Sequence, residues 1–198
     1  MFDTYKTINT STDGIYKEKG SKFLAFAIPV NTVDEVKEIV KNYRKEYYDA
    51  RHVCYAYMLG AERKNFRAND DGEPSGTAGK PILGQINSFE LTNILVIVVR
   101  YFGGILLGTG GLVVAYKEAT VDALKKAEII EKTIDETFSI QFDYALMNDV
   151  MRIIKDTNAQ IIQQSFDNQC FIQLSIRKQD APSITAKLKS TYGLTIND

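Results

Sequence analysis

The chain has 198 residues, 44% hydrophobic and 25% charged, the balance of a soluble globular protein with room for one large domain or two small ones. Its 24 Lys+Arg and 25 Asp+Glu give a net charge of −1, so no global positive field advertises nucleic acid and any basic face must be local. One histidine, two cysteines and no CxxC, HExxH or Walker Gly-Lys-Ser/Thr signature supply a buried zinc site poorly, and no cofactor is expected.

No apolar run reaches membrane-spanning length and no signal peptide is recognisable, so cytoplasmic residence without membrane attachment is the default expectation. Cys54 and Cys170 lie far apart in apolar surroundings and read as buried free thiols.

Taken in chain order, a strand is expected from about Ser21 to Val30, with Pro29 at its edge or end. Val33, Val36, Ile39, Val40 and Tyr43 then recur at helical spacing. Asn31 or Thr32 caps that helix, and Asp34 and Glu35 suit its first turn. "HVCYAYML", 52–59, alternates as a strand: His52, Cys54, Ala56 and Met58 share one face, and Val53, Tyr55, Tyr57 and Leu59 the other.

Residues 60–81 turn polar and Gly-rich, and ten of the 13 glycines lie between Gly60 and Gly111. "LTNILVIVVRYF" is the strongest strand, and its near-continuous apolar run predicts burial on both faces. Leu112, Val113, Tyr116, Ala119, Ala123 and Leu124 define a helix after the glycines. Beyond a charged seam at 131–136 the pattern becomes strand 137–143, helix 145–157, strand 160–166, strand 169–177 and helix 180–191. This βαββα order predicts a small α+β module with an antiparallel sheet, divided from the first module near residue 135.

Two stretches concentrate the reactive-looking groups. In "RANDDGEPSGTAGKP", Asp70, Asp71 and Glu73 are neighbours and Lys80 follows. The carboxylates can bind Mg²⁺, ion-pair with Arg51, Arg67 or Arg100, or face water, so the metal question stays open. A helix beginning within Gly76–Gly79 would offer free amides to an anion, with Ser75 or Thr77 assisting.

"RYFGGILLGTGG" packs five glycines after the strongest strand. It has neither Walker nor dinucleotide spacing, so either a close backbone crossing or a phosphate-receiving helix start explains it. In the second reading Gly110 and Gly111 present amides, and Thr109 caps the helix or touches the same anion. Arg100, with Tyr101 and Phe102 beside it, can contact a phosphate and stack on a base, or pair with a carboxylate of the earlier loop. His52 is suited to acid–base chemistry, but no nucleophile stands at a telling distance, and no catalytic residue is assigned.

"KGSKFLAF", "RHVCYAY", "NDDGEPSGTAGKPIL" and "VVRYFGGILLGTGGLVVAY", taken together, resemble the Impact protein family, in particular its two-domain bacterial YigZ-like branch. The resemblance covers nearly the whole chain. It implies a ribosomal protein S5 domain 2-like first domain, 1–135, and a ferredoxin-like βαββα second domain, 136–198. It also implies a link to translation. The eukaryotic member competes for the activator of an amino-acid-sensing kinase, but through a chain with a further recognition domain that this one lacks.

Carried over by motif, His52, Asp70, Asp71, Glu73, Thr77 and Gly79 are signature positions rather than catalytic ones. Val113 and Val114 make apolar a region where some relatives carry a basic residue, which weakens any phosphate contact there.

The expected function is therefore a translation-associated regulatory protein that binds RNA, the ribosome or a translation factor, and not an enzyme. Arg51, Arg67, Lys80, Arg100, Tyr101, Thr109, Gly110 and Gly111 are the RNA- or anion-binding candidates. A Mg²⁺-dependent nucleotide or phosphate-ester hydrolase built on Asp70, Asp71, Glu73 and His52 is one alternative, and a protein-binding adaptor without RNA contact is another.

Overall fold

The computed structural model describes residues 3–197. Contacts divide the chain into two compact units: residues 5–132 form one, and residues 133–197 form the other together with residues 3 and 4. The break falls in the charged seam. Asp3 joins the second unit through its carboxylate, which pairs with Arg177 at 2.5 Å. The architecture is α+β, with an antiparallel sheet in each unit.

The larger unit holds strands β1 (Thr4–Ile8), β2 (Thr12–Glu18) and β3 (Ser21–Pro29), then helix α1 (Val33–Glu46) and strands β4 (His52–Leu59) and β5 (Asn65–Asn69). Helix α2 (Gly79–Ser88), strand β6 (Ile94–Tyr101), helix α3 (Gly108–Lys126) and strand β7 (Ile129–Thr133) follow. β1 pairs with β7, and the main sheet runs β2-β3-β6-β4-β5. Thr32 caps α1, its hydroxyl accepting the Glu35 amide at 3.2 Å, and Arg44 and Lys45 stand in the last turn where the helix dipole favours cations.

Helices cover both faces of this sheet. On one, Cys54, Ala56, Met58, Val96 and Val98 pack against Ile82 and Ile86 of α2 and Leu112, Ala115, Tyr116 and Ala119 of α3. On the other, Val53, Tyr57, Leu95, Ile97 and Val99 meet Val36 and Val40 of α1. Two covered faces are the physical reason β6 reads as an unbroken apolar run, although the sheet is antiparallel.

The smaller unit contains β8 (Asp135–Phe142), a short 3-10 turn (Tyr144–Leu146), α4 (Met147–Asp156), β9 (Gln160–Phe166), β10 (Cys170–Arg177), α5 (Ala181–Lys189) and β11 (Leu194–Asn197). Its sheet order is β11-β8-β10-β9. Phe138, Ile140, Phe142, Cys170, Ile172, Leu174 and Ile176 face Val150, Ile154, Ile184 and Leu188. The final strand, β11, extends the expected βαββα order to βαββαβ; Gly193, at φ +88°, turns the chain into it.

The glycines after β6 do more than one job. A Cβ on Gly103 would sit 1.9 Å from the Gly20 carbonyl carbon, so the β2–β3 turn and the loop after β6 cross backbone to backbone. Gly108 instead holds φ at +70° with open space around it, the left-handed entry into α3. α3 thus begins four residues before Leu112: Gly110 and Gly111 are helical, and Thr109 lies in the first turn rather than capping it.

Candidate functional site: the amino end of helix α3

Strand register builds the floor of the site. Phe23, Arg100 and His52 are direct partners across β3, β6 and β4, so they form one row on the face covered by α2 and α3. The same alternation sends Tyr101 to the opposite face. There its hydroxyl donates to Asp49 at 3.0 Å, so it does not share a surface with Arg100.

Arg100 is an interior residue. Its side chain is 7% exposed, and Nη1 donates to Glu73 Oε1 at 2.5 Å; the Glu73 side chain is 3% exposed. Tyr116 donates its hydroxyl to the same oxygen at 2.8 Å. The Arg100 guanidinium lies 5.5 Å from the Phe23 ring centre and 5.7 Å from that of Phe102. Its Nε is buried with no hydrogen-bond partner. Of the two readings of Arg100, the structure has the salt bridge, and the pairing carboxylate is Glu73. Breaking such a buried pair costs about 3–5 kcal/mol, because the survivor is an uncompensated charge.

His52 Nδ1 lies 2.7 Å from the Asp71 carbonyl oxygen, which only accepts, so Nδ1 carries the proton. Nε2 then faces Glu73 Oε2 at 3.8 Å. Cys54 donates to the Asp70 carbonyl at 3.0 Å and to the Tyr116 hydroxyl at 3.3 Å. Burial pushes the Cys54 thiol and the Tyr116 phenol far above their ordinary values, so both stay protonated and serve as donors. Cys170 is likewise a buried free thiol.

The acidic loop is committed to itself. Asp70 accepts amide bonds from Gly76 at 2.8 Å, Ala78 at 3.1 Å and Gly79 at 2.8 Å. Burial alone would raise this carboxyl. The amides of Gly76, Gly79 and Ala78, with the charge of Lys80, outweigh it and hold the group below its ordinary 3.8. The amides expected to receive an external anion at the start of α2 are therefore filled by the chain's own Asp70. Asp71 pairs with Arg44 at 2.6 Å and accepts the Val53 amide at 2.7 Å. Thr77 is buried and donates its hydroxyl to the Pro74 carbonyl at 2.7 Å. Gly79 allows close approach: its Cβ would lie 2.5 Å from the Asn69 nitrogen. Among the described residues no three His, Cys, Asp or Glu side chains stand together as a metal-holding group.

The amino end of α3 contrasts with this. Its N-cap residue, Leu107, supplies no side-chain bond, and the first turn holds no acidic residue. The end opens onto a cavity of about 360 Å³. Arg51, His52, Glu73 and Arg100 line its polar part, Pro74, Phe102, Leu106, Leu107 and Leu112 its apolar part, and Gly108 and Thr109 bring the helix terminus to it. Arg51 is exposed, immediately before β4, where its amide donates to the Arg100 carbonyl at 3.0 Å. Leu106 is 83% exposed.

Of the candidates, the cavity thus gathers Arg51, His52, Glu73, Arg100 and Thr109. Gly110 and Gly111 sit in the same helical turn without lining it. Arg67 and Lys80 stand elsewhere. Arg67 is exposed on edge strand β5 opposite Tyr57, hence on the α1 face, and Lys80 is exposed on α2. Sequence reasoning missed Pro74, Leu106 and Leu107 as lining residues and Tyr116 as the partner of Glu73. For Tyr116 a signal existed: a tyrosine on a helix stripe otherwise made of Ala, Leu and one Thr must bring its hydroxyl a partner when buried.

Residues 19–124 match the model of the Impact N-terminal domain, more than half of the chain. The chain belongs to the Impact family. It is 34% identical over 172 residues to the IMPACT family member YigZ of Escherichia coli K12, spanning 86% of this chain and 84% of that one. An IMPACT family member of Haemophilus influenzae is 33% identical over 182 residues, 90% and 88% of the two chains. A crystal structure of a hypothetical protein superposes with a TM-score of 0.77 at 29% identity, over 100% of this chain and 98% of that one. These full-length matches are those expected of the two-domain bacterial branch. Among the described residues no helix is long and apolar enough to cross a membrane.

Proposed function

We propose that this Impact-family chain regulates translation by binding rather than turnover, holding a component of the translation apparatus, whether RNA, the ribosome or a translation factor. The translation link comes from the family resemblance. The observation that carries the contact surface is the amino end of α3, an uncapped helix terminus beside Arg51 and an exposed apolar wall. Such an arrangement receives an anionic group and leaves apolar side chains for a partner. A binding protein is favoured over a hydrolase because Asp70, Asp71 and Glu73 are each engaged by donors of the chain itself.

We also read the smaller unit as ferredoxin-like: βαββαβ with its strands in spatial order 4-1-3-2, counted within the unit, supports that name. The larger unit we read as S5 domain 2-like, on the family resemblance.

The test is recovery from cells with wild-type protein and the doubly substituted Arg51→Ala/Leu106→Ser chain, with and without RNase. Ribosomes or one translation factor captured by wild type and lost by the variant is the expected result. Equal recovery by both, or no component of the translation apparatus in either, would overturn the reading. RNase sensitivity separates an RNA contact from a protein contact.

A further inference from the structure

The sheet of the smaller unit has one long edge without a guard. β9 reads "QIIQQSF", with no charge and no proline, and among the described residues it pairs with β10 alone. Its outer row of amides and carbonyls is left without a strand partner, the arrangement that templates a further strand. The other edges of the molecule are blunted. β2 carries Asp13, Lys17 and Glu18, β5 carries Arg67, β1 carries Lys6, β7 carries Glu131 and Lys132, and β11 is only four residues long.

The side chains along β9 are apolar where a charge is the usual guard. Phe166 and Gln164 stand opposite Cys170 and Ile172 of β10, whose side chains face the helices of the unit. Beside Leu174 the ladder slips by one residue, a bulge that sets Ile161 and Ile162 together on that same face. Ile162 and Phe166 are exposed there, and the exposed Tyr144 ring stands against Phe166 with ring centres 6.4 Å apart. Beyond the bulge, 162–166 offers a regular stretch for pairing.

We infer that β9 is the interface for a second copy of this chain, paired antiparallel about a two-fold axis through Gln164. The strand's match to itself selects this occupant. An axis at Gln164 sets Ile162 of each copy opposite Phe166 of the other, an aliphatic–aromatic pair made twice. Gln163 falls opposite Ser165, Gln164 meets its own counterpart, and Asp167 falls opposite Ile161, so no like charges oppose each other. The pairing uses the free edge of both copies at once, so it closes as a dimer instead of growing into a filament. It is independent of the cavity at α3.

Sedimentation velocity of the full chain over a concentration series reads monomer against dimer. Wild type is expected to dimerise with a Kd of about 1–100 µM, the range of a small interface. Gln164→Lys, at an exposed position, sets two ammonium groups against each other at the axis and should weaken dimerisation about tenfold or more. Gln164→Glu should do the same with two carboxylates. Mixing the two variants should restore the dimer as a heterodimer, because unlike charges then meet. Ile162→Thr, which keeps a β-branched residue in the strand but removes both apolar pairs, should weaken the dimer about threefold or more without any charge.

Rescue in the mixture requires both variants to be folded, so it separates a lost interface from a lost fold. If the charged variants fail to fold, Ile162→Thr decides. A dimer indifferent to every one of these substitutions, or folded charged variants that fail to pair when mixed, would overturn the inference. So would a wild-type chain that stays monomeric at every soluble concentration, which would leave the edge to an extended segment of another protein.

Discussion

The larger unit presents two glycine-rich helix starts that look alike in sequence and differ in what fills them. At α2 the Asp70 carboxylate accepts three backbone amides, and the terminus is closed by the chain's own anion. At α3 no side chain caps the end, and a cavity with Arg51 and Arg100 lies against it. Glycine spacing says where amides are bare. Whether they are available depends on a carboxylate within reach, and here that carboxylate sits six to nine residues upstream of the amides it fills.

The largest expected effect comes from the wall beneath the open end. Glu73→Ala leaves Arg100 buried and unpaired and should lower unfolding free energy by about 3–5 kcal/mol, read from urea midpoints. Tyr116→Phe, which removes one bond to the same carboxylate, should cost about 1–3 kcal/mol. A cost near zero for both would mean the Arg100–Glu73 wall does not hold the site.

Asp70→Ala reopens the closed end. It should destabilise by about 2 kcal/mol and turn the start of α2 into an anion site, so that sulfate raises the melting temperature of the variant more than that of wild type. The pH dependence has a definite sign. Because the folded Asp70 carboxyl lies below its ordinary 3.8, its stabilisation is present above that value and is lost as pH falls through the folded one. Asp70→Asn should therefore lose less stability than wild type on acidification through this range. A steeper acid loss in the variant would contradict the assignment.

The smallest effect is in the opposite direction. Thr109→Asp gives α3 the anion that α2 already has, and it should stabilise the chain by about 0.5 kcal/mol through the helix dipole.

Much of this was legible in the sequence, for physical reasons. The alternation in 52–59 separates Cys54 from Val53 onto the two faces that the structure buries. The elements of the smaller unit lie within a few residues of their expected bounds, because helical and strand periodicities alternate cleanly there. β2 and β5 were not legible. "TDGIYKE" and "NFRAN" lie at the two edges of the main sheet, expose much of their length, and so carry no apolar alternation.

At the site, adjacency misled. Arg100 and Tyr101 are neighbours in sequence and back to back across a sheet, while Arg51 and Thr109, far apart in sequence, line one cavity. The partner of Arg100 depends on loop geometry that no spacing rule encodes.

The most direct test of the contrast between the two helix ends is a residue-resolved amide NMR titration of the wild-type chain with sulfate. The predicted result is saturable shifts at 108–110 and at Arg51, with the amides of Gly76, Ala78 and Gly79 unmoved. Shifts at 76–79 equal to those at 108–110, or no shift at either end, would contradict the account.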